Sequence, residues 1–492
     1  MEERSLTLGA RAFTAADQQV FGAHSRDVNP MHVDEVAARR LISGRQVVHG
    51  VHTLLQALDF WEPAPGLRVT HVQCQFDQPI SVGDAVVFTH TLDEAGAHVL
   101  VASVDGVPCT TVTVTCAAQG AGAANAPAAT AAATAPVAAD LPVRRIDTLS
   151  GPLDEAPGSQ SSHTLVLPPW GHELTTLYPR AARLLSPQAV SALGRLSYYV
   201  GMVCPGLHSV FSSLQFGLGE AAPETEDLSF QLKRYDPRFK LFIVDYRGPL
   251  QGQLRAFLRP PPQPQPSTRE LQTRVQPGEF KGTRTLVIGG SRGLGELTAK
   301  LLAAGGGDVV VSYAQGLADA QRVVQDVAAA SGGTCEALAL DLALQDFTAL
   351  DFSGELDAVF FFATPRIFRK KADTFDKALF AEFVQFYLER FAQLCSWLEA
   401  RPGERPVTVY LPSTVFITER PKGMTEYAMA KAAAEVLADD LNRTLQRVRV
   451  VHTRLPRLAT DQTASIMGVS VASNIDTLLP VVRQVVGRAT PH

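Results

Sequence analysis

Two abrupt changes in composition constrain this chain more than any single motif, because no compact core can run through them. Residues Ala117 to Asp140 are almost entirely Ala, Gly, Thr and Pro, and Arg259 to Thr268 reads RPPPQPQPST. Alanine favours helix, but Gly120, Gly122, Pro127 and Pro136 interrupt the first stretch and no apolar stripe gives it a packing partner. It reads as a flexible tether. At roughly 150 residues per folding unit, the 492 residues suit about three units. The expected division is 1–116, a tether at 117–140, 141–258, a Pro-rich linker at 259–280, and 281–492.

The first and third of these segments share an internal echo. His49 to Phe60 reads HGVHTLLQALDF and Pro205 to Phe216 reads PGLHSVFSSLQF. Val51, Leu54, Leu55 and Leu58, and Leu207, Val210, Phe211 and Leu214, fall at i, i+3, i+4 and i+7, which predicts a helix buried on one face in each. Strand-like runs follow both: VTHVQCQF, AVVFTHTL, HVLVASV and CTTVTVTC after the first, LSFQLKRY, FKLFIVDY and GQLRAFLR after the second. A helix followed by an antiparallel meander, twice over, is the outline of two α+β units of the hot-dog kind. From about Lys281 short apolar runs (TLVIG, DVVVSY, EALALD, DAVFFF, VTVYL, VRVVHT) alternate with helical segments, which predicts an α/β, Rossmann-like, doubly wound parallel sheet.

Formal charge is only -5 and charged residues are spread along the chain, so no basic face advertises nucleic acid. The six cysteines have no metal-ligand spacing and suit buried apolar positions in a reducing compartment. No metal is expected. Without an apolar leader or a run of about 18 apolar residues, the expectation is a soluble, cytoplasmic protein and a homo-oligomer.

Phe21 to Asp34 reads FGAHSRDVNPMHVD, and GRQVVHGVHTLL follows after a spacer. An isolated Asp-x-Asn-Pro is ordinarily a turn, with Asp27 capping it and His32 on the surface. The complete loop followed by V-H-G resembles the MaoC-like (R)-specific enoyl-CoA hydratases, whose signature is S-G-D-x-N-P-x-H and then V-H-G opening the hot-dog helix. Arg26 stands where that family usually has glycine. The resemblance implies Asp27 and His32 as an acid/base pair, Asn29 and Pro30 shaping the loop, and the Gly50 amide facing a thioester carbonyl. Water addition to a 2-enoyl thioester needs a group for the water proton, a group for the α-proton and a donor for enolate-like charge. The second unit has only SYYVGMVCPG between Ser197 and Gly206 and resembles the degenerate partner half of double hot-dog hydratases. It is expected to complete the sheet and shape the acyl pocket, with His208 opposite His52 as a packing histidine.

Ile288 to Gly295 reads IGGSRGLG, directly after a strand and opening a helix. Gly289, Ser291, Arg292, Gly293, Leu294 and Gly295 would let a dinucleotide pyrophosphate approach the backbone at the helix N-terminus. With Ser413 after a strand and Tyr427-Ala-Met-Ala-Lys431 on a helix, this part resembles the short-chain dehydrogenases/reductases of the ketoreductase type. The resemblance implies Tyr427 as proton donor, Lys431 lowering its pKa and Ser413 orienting the carbonyl. Three departures stand against the pattern: Phe361-Phe362-Ala363-Thr364 for N-N-A-G, Tyr387 for the helix asparagine, and Pro456-Arg457 for P-G. No carboxylate follows VVVSY, and Arg292 offers charge for a 2′-phosphate, so NADPH is the expected cofactor, with Asp341, Ala363 and Pro456 as further contacts. Asp341, ending EALALD, is expected at the adenine, with a helix-capping role as the alternative.

Together the two resemblances imply a bifunctional lyase and oxidoreductase that reduces 3-oxoacyl thioesters and dehydrates the 3-hydroxyacyl products, or runs in reverse. No carrier domain is recognisable, so the thioester would arrive on CoA or a separate acyl carrier protein, in trans to a fatty-acid or polyketide synthase. The alternatives are a β-oxidation enzyme, or an active dehydratase beside a reductase-like docking module.

Overall fold

The computed structural model describes residues 5–41, 44–118, 141–154, 163–218, 225–345, 347, 350, 352, 354–367, 374–403, 405–461 and 472–487. These fall into two compact units, one ending at Pro261 and the other beginning at Pro262.

The first unit is built on eleven strands: β1 (Leu6–Ala12), β2 (Leu67–Phe76), β3 (Ala85–Leu92), β4 (His98–Val104), β5 (Val107–Ala118), β6 (Val143–Arg145), β7 (Thr164–Leu167), β8 (Ser209–Gly217), β9 (Leu228–Asp236), β10 (Leu241–Arg247) and β11 (Gln251–Leu258). They form one sheet in the order β1-β3-β4-β5-β2-β8-β11-β10-β9-β7-β6. β2 and β8 pair antiparallel at its middle, Val72 opposite Phe216 and Cys74 opposite Leu214. Outward from that seam the order is β2-β5-β4-β3-β1 on one side and β8-β11-β10-β9-β7 on the other, so the halves repeat one topology. Each half has one buried helix, Gly50–Phe60 and Pro187–Tyr198, and the two helices pack together in a single core. The first carries the apolar stripe read from sequence, with Val51, Leu54, Leu55 and Leu58 fully buried.

The echo at Pro205 to Phe216 is not a helix. Ser209–Gly217 is β8, the counterpart of β2, and the helix of the second half lies upstream at Pro187–Tyr198. A stripe spanning two turns is too short to outweigh the β-forming Val210, Phe211 and Phe216 and the ladder offered by β2 and β11. The true start signal was Ser186 followed by Pro187: the serine hydroxyl accepts from the Ala189 amide, and proline occupies the first helical position. His208 therefore precedes a strand and is not the counterpart of the helical His52.

Both linker boundaries also move. Ala117 and Ala118 end β5, and 119–140 lie outside the described residues. In 259–280 the expectation of a bare linker fails after the proline run. Ser267 caps the short helix Thr268–Leu271, and Leu271, Val275 and Phe280 are buried in the second unit's core, because three apolar side chains at this spacing can pack where RPPPQPQP cannot.

The second unit has β12 (Arg284–Ile288), β13 (Asp308–Tyr313), β14 (Thr334–Ala339), β15 (Ala358–Phe361), β16 (Val407–Thr414) and β17 (Val448–Leu455), all parallel, in the order β14-β13-β12-β15-β16-β17. Gly293–Ala304, Leu317–Ala328 and Asn474–Val485 pack in the core on one face. Lys377–Val384, Phe391–Ala400 and Thr425–Thr444 pack on the other. Strand order reverses between β12 and β15, and ligands of such sheets bind outside the carboxyl ends at that reversal.

Leu54 and Leu193 face the core from the two central helices, each at 0% exposure. Leu54→Ala and Leu193→Ala should each destabilise the first unit by about 2–5 kcal/mol, read from denaturant midpoints at unchanged m-value. A shift from one half only would show that the halves do not share one core.

Candidate functional sites

The loop carrying Asp27 follows the helix Ala15–Ser25, which Arg26 ends in the left-handed region at φ 57. That conformation favours glycine. Arg26 occupies it with its guanidinium bonded to the Thr148 hydroxyl at 2.7 Å and lying 4.5 Å over Trp170. Asp27 then turns inward and is 2% exposed. Its Oδ1 accepts from the Asn29 amide at 3.3 Å, and its Oδ2 accepts from the Ser197 hydroxyl at 2.7 Å. Asn29 is buried as well and donates to the carbonyls of Gly201 (2.7 Å), Gly206 (3.2 Å) and Leu207 (3.3 Å). The second half thus does more than complete the sheet: it holds the loop and one carboxylate oxygen. Gly201 must be glycine for this, because a Cβ there would stand 2.3 Å from Asp27 Oδ1.

His32 lies on the one-turn helix Pro30–Val33, and its Nδ1 donates to the Val47 carbonyl at 2.7 Å. A neutral ring with its proton there keeps the Nε2 lone pair free. His49 stacks on it at 3.9 Å and approaches the Asp27 loop, its Nε2 lying 3.0 Å from the Asp27 carbonyl and its Nδ1 2.9 Å from Gln18 Oε1. One ligand atom each from Asp27, His32 and His49 lies within 4.8 Å of the others. These are metal-binding atom types, but both His49 nitrogens, both Asp27 oxygens and His32 Nδ1 already have protein partners. His32 Nε2 is the atom left for chemistry. Gly50 opens the central helix with a Cβ direction closed by the Phe76 ring at 3.0 Å, and its N–H has no intrahelical acceptor.

Burial pushes the Asp27 carboxyl up to about 7, against the hydrogen bonds from Ser197 and Asn29. Burial drives His32 down to about 4, with the Arg259 charge adding to the effect and the Val47 bond opposing it. At neutral pH the pair is thus a neutral imidazole beside a carboxyl poised between its two states. Ser197 and His49 were missed as contributors to this site. His49 was visible in V-H-G, whereas Ser197, 170 residues from Asp27, carries no local signal.

In the second unit the glycine turn follows β12. Gly289 has φ +75, and a Cβ there would meet the Ala363 amide at 2.8 Å; a Cβ on Gly295 would meet the Gly289 carbonyl at 2.3 Å. Ser312, on β13, accepts from the Gly289 amide at 3.0 Å. Gly293, Leu294 and Gly295 form the first turn of Gly293–Ala304, and Arg292 precedes it, 3.9 Å from Asp461. Ser291 faces Gly316 in the loop after β13. The Asp319 carboxylate near that loop is ion-paired to Arg322. Asp341 accepts from the Ala343 amide at 2.9 Å, the capping alternative. Pro456 is exposed just beyond β17.

The expected Ser413, Tyr427 and Lys431 triad is only partly assembled. Alternation along β16 sends Ser413 and Thr414 to opposite faces. The Ser413 hydroxyl bonds to Glu435, which Arg454 grips through both guanidinium donors at 2.9 and 2.7 Å. Thr414 is the hydroxyl next to Tyr427. Lys431 is buried, donates to the Pro412 carbonyl at 2.7 Å, and lies 3.7 Å from the centroid of the Tyr387 ring against 5.9 Å for Tyr427. Tyr387 sits on the π-helical turn Gln385–Arg390 with its hydroxyl bonded to Thr364. Burial takes Tyr427 up to about 12, opposed by Thr414, and takes Lys431 down to about 7, opposed by Glu435. Tyr427 is held protonated, as a proton donor requires.

The family described as MaoC like domain matches residues 2–107, and no curated protein matches the chain. Similar solved structures include an alternative dihydrofolate reductase 1 from Brucella canis complexed with NADP, at 20% identity over 35% of this chain and 72% of that one, TM-score 0.32. A 3-oxoacyl (acyl-carrier-protein) reductase from Agrobacterium tumefaciens with NADP bound has 21% identity over 37% and 73%, TM-score 0.32. A short chain dehydrogenase from Burkholderia cenocepacia in complex with NADP has 22% identity over 42% and 91%, TM-score 0.36.

Ser197→Ala should raise the Asp27 pKa further, because the lost hydrogen bond favoured the ionised form. Gly201→Ala should displace the carboxylate altogether. Carboxyl titration followed by infrared difference spectroscopy checks both, and an unmoved Asp27 signal in Ser197→Ala would remove the serine from the site.

Proposed function

We propose that residues 2–107, a MaoC-like domain, form with residues 141–258 a double hot-dog dehydratase acting on 3-hydroxyacyl thioesters, and that the second unit is an NADPH-dependent 3-oxoacyl thioester reductase. The observation that carries the first assignment is the buried Asp27 carboxyl beside a neutral His32 whose Nε2 is free. In dehydration, His32 Nε2 takes the α-proton and the Asp27 carboxyl protonates the departing hydroxyl. The Gly50 amide, at a helix N-terminus, receives the charge that develops on the thioester oxygen. Hydration runs the same transfers backwards. Ser197 and Asn29 keep the carboxyl aimed, and His49 packs the His32 ring in place.

For the second unit, the close-packed glycines at 289 and 295, the helix start at Gly293 and the strand-order reversal fit a dinucleotide. Gly289, Ser291, Arg292, Gly293, Leu294 and Gly295 would hold it, with Ala363 and Pro456 at the reacting end, Lys431 beside Tyr427, and Asp341 at the far end beyond its cap. When bound, NADPH supplies hydride to the ketone. Tyr427 then gives its proton to the alkoxide oxygen. Arg292 would leave Asp461 for the 2′-phosphate, and the nearby Asp319 is already neutralised by Arg322. Thr414, the hydroxyl on the Tyr427 face, takes the carbonyl-orienting role expected of Ser413. The substrates would be thioesters of CoA or an acyl carrier protein, delivered in trans to fatty-acid or polyketide assembly, by a cytoplasmic homo-oligomer.

Three comparisons test this reading. Asp27→Asn or His32→Ala should lower dehydration at least about 100-fold while sparing NADPH-dependent reduction; mass spectrometry of a 3-oxoacyl thioester incubated with NADPH should then find the 3-hydroxyacyl product accumulating. Thr414→Val and Tyr427→Phe should abolish reduction, whereas Ser413→Ala should retain most of it; the opposite order would return the role to Ser413. Arg292→Ala should weaken NADPH binding and leave NADH binding unchanged. Equal catalytic efficiency with both cofactors in the parent would defeat the charge argument, and tight NADPH binding without any ketone reduction would make this unit a docking module.

A further inference from the structure

Beside the Asp27 and His32 loop, two side chains of the second half present buried polar atoms that no described residue satisfies. Arg259 lies just past β11, its backbone N–H donating to the His208 carbonyl at 2.8 Å. Its Nη2 donates to the Leu207 carbonyl at 2.9 Å, the same carbonyl that Asn29 holds at 3.3 Å. The guanidinium is therefore one shared acceptor away from the catalytic loop. Nε and Nη1 of Arg259, and Nδ1 of His208, are buried with no hydrogen-bond partner. Among the described residues no carboxylate pairs with Arg259. His208 Nε2 lies 4.0 Å from the largely exposed Asp154 carboxylate. The Arg259 charge is close enough to act on both His32 and His208.

Buried cations are normally paired, and buried donors normally bonded, because each lost water contact must be replaced. Here the replacement is missing for three atoms on two side chains, one of which feels the charge of the other. The donors suit an anionic oxygen group: a guanidinium offers two N–H directions to a carboxylate or phosphate, and His208 adds a third contact.

We propose that Arg259 and His208 form an anion subsite of the first unit, which binds a carboxylate or phosphate carried by the thioester substrate. The proposal rests on the dehydratase reading above, and adds to it that the substrate is charged near the reacting end of its acyl chain or on its carrier arm. The two sources are separable with three enoyl thioesters: a neutral acyl group on pantetheine, the same group on CoA, and a carboxyl-terminated acyl group on pantetheine. In Arg259→Gln, kcat/KM for hydration should fall about 10- to 100-fold on the substrate bearing the recognised anion and stay within about threefold on the neutral pantetheine thioester. A loss confined to CoA assigns the phosphate, and one confined to the carboxyl-terminated substrate assigns the acyl carboxylate. Equal losses on all three, or none on any, would overturn the subsite, leaving Arg259 as a tuner of His32 or as a partner of buried water. Arg259→Lys, which keeps the charge, should recover part of the loss and guards against a folding defect in the glutamine variant. Calorimetric titration with free CoA and with glutarate needs no turnover. Arg259-dependent binding in a protein that hydrates nothing would sink the dehydratase reading and keep the subsite, whereas hydration without any Arg259-dependent anion effect would do the reverse.

Discussion

A carboxyl group buried at the seam between two halves of one sheet sets the terms for the first unit. Asp27 can be 2% exposed only because the other half supplies Ser197 to one oxygen, and room at Gly201 for the other. The pairing of β2 with β8 and the contact between the central helices fix those two residues opposite the Asn29-Pro30 loop. Burial then does the chemical work of raising the carboxyl to about 7 and lowering His32 to about 4, which leaves an acid and a base coexisting at neutral pH. A half without Asp27 or His32 of its own is thereby part of the proposed catalytic apparatus.

The second unit solves the opposite problem. Its groups come from the ends of parallel strands, where side chains and backbone amides converge without a partner half. Tyr387 fills the space beneath Lys431 with an aromatic face, so the ammonium is held by a ring and the Pro412 carbonyl. Ser413 is committed to Glu435 and Arg454 on the other side of β16. Thr414 and Tyr427 are left as the hydroxyls sharing a face.

Much of this was legible in the sequence, and what was not had a physical cause. The D-x-N-P-x-H loop, the V-H-G turn and the glycine turn are local: each works through neighbouring backbone geometry, so its residues remain together in the chain. Strands such as AVVFTHTL and VTVYL were found because β-forming side chains cluster in them. The helix at Pro187–Tyr198 escaped because a short apolar stripe downstream mimicked it, and pairing with β2 and β11, not propensity, decided that Ser209–Gly217 is a strand. Ser197 and Arg259 escaped for the related reason that what they touch, Asp27 and the Leu207 carbonyl, lies far away in the chain. That Thr414 and not Ser413 stands next to Tyr427 turns on which face of a strand each residue takes, a distinction that the order of motifs does not carry.

If a neutral His32 and a protonated Asp27 act together in dehydration, the pH dependence of kcat/KM for a 3-hydroxyacyl thioester must show both groups. Activity should rise as His32 loses its proton near pH 4 and fall as Asp27 loses its proton near pH 7, giving a bell whose alkaline limb reports the buried carboxyl. In Ser197→Ala that limb should move to higher pH with the acid limb unchanged. A profile that stays flat through pH 7, or an alkaline limb indifferent to Ser197, would contradict the account, because the group losing its proton would then not be the carboxyl that the two halves enclose.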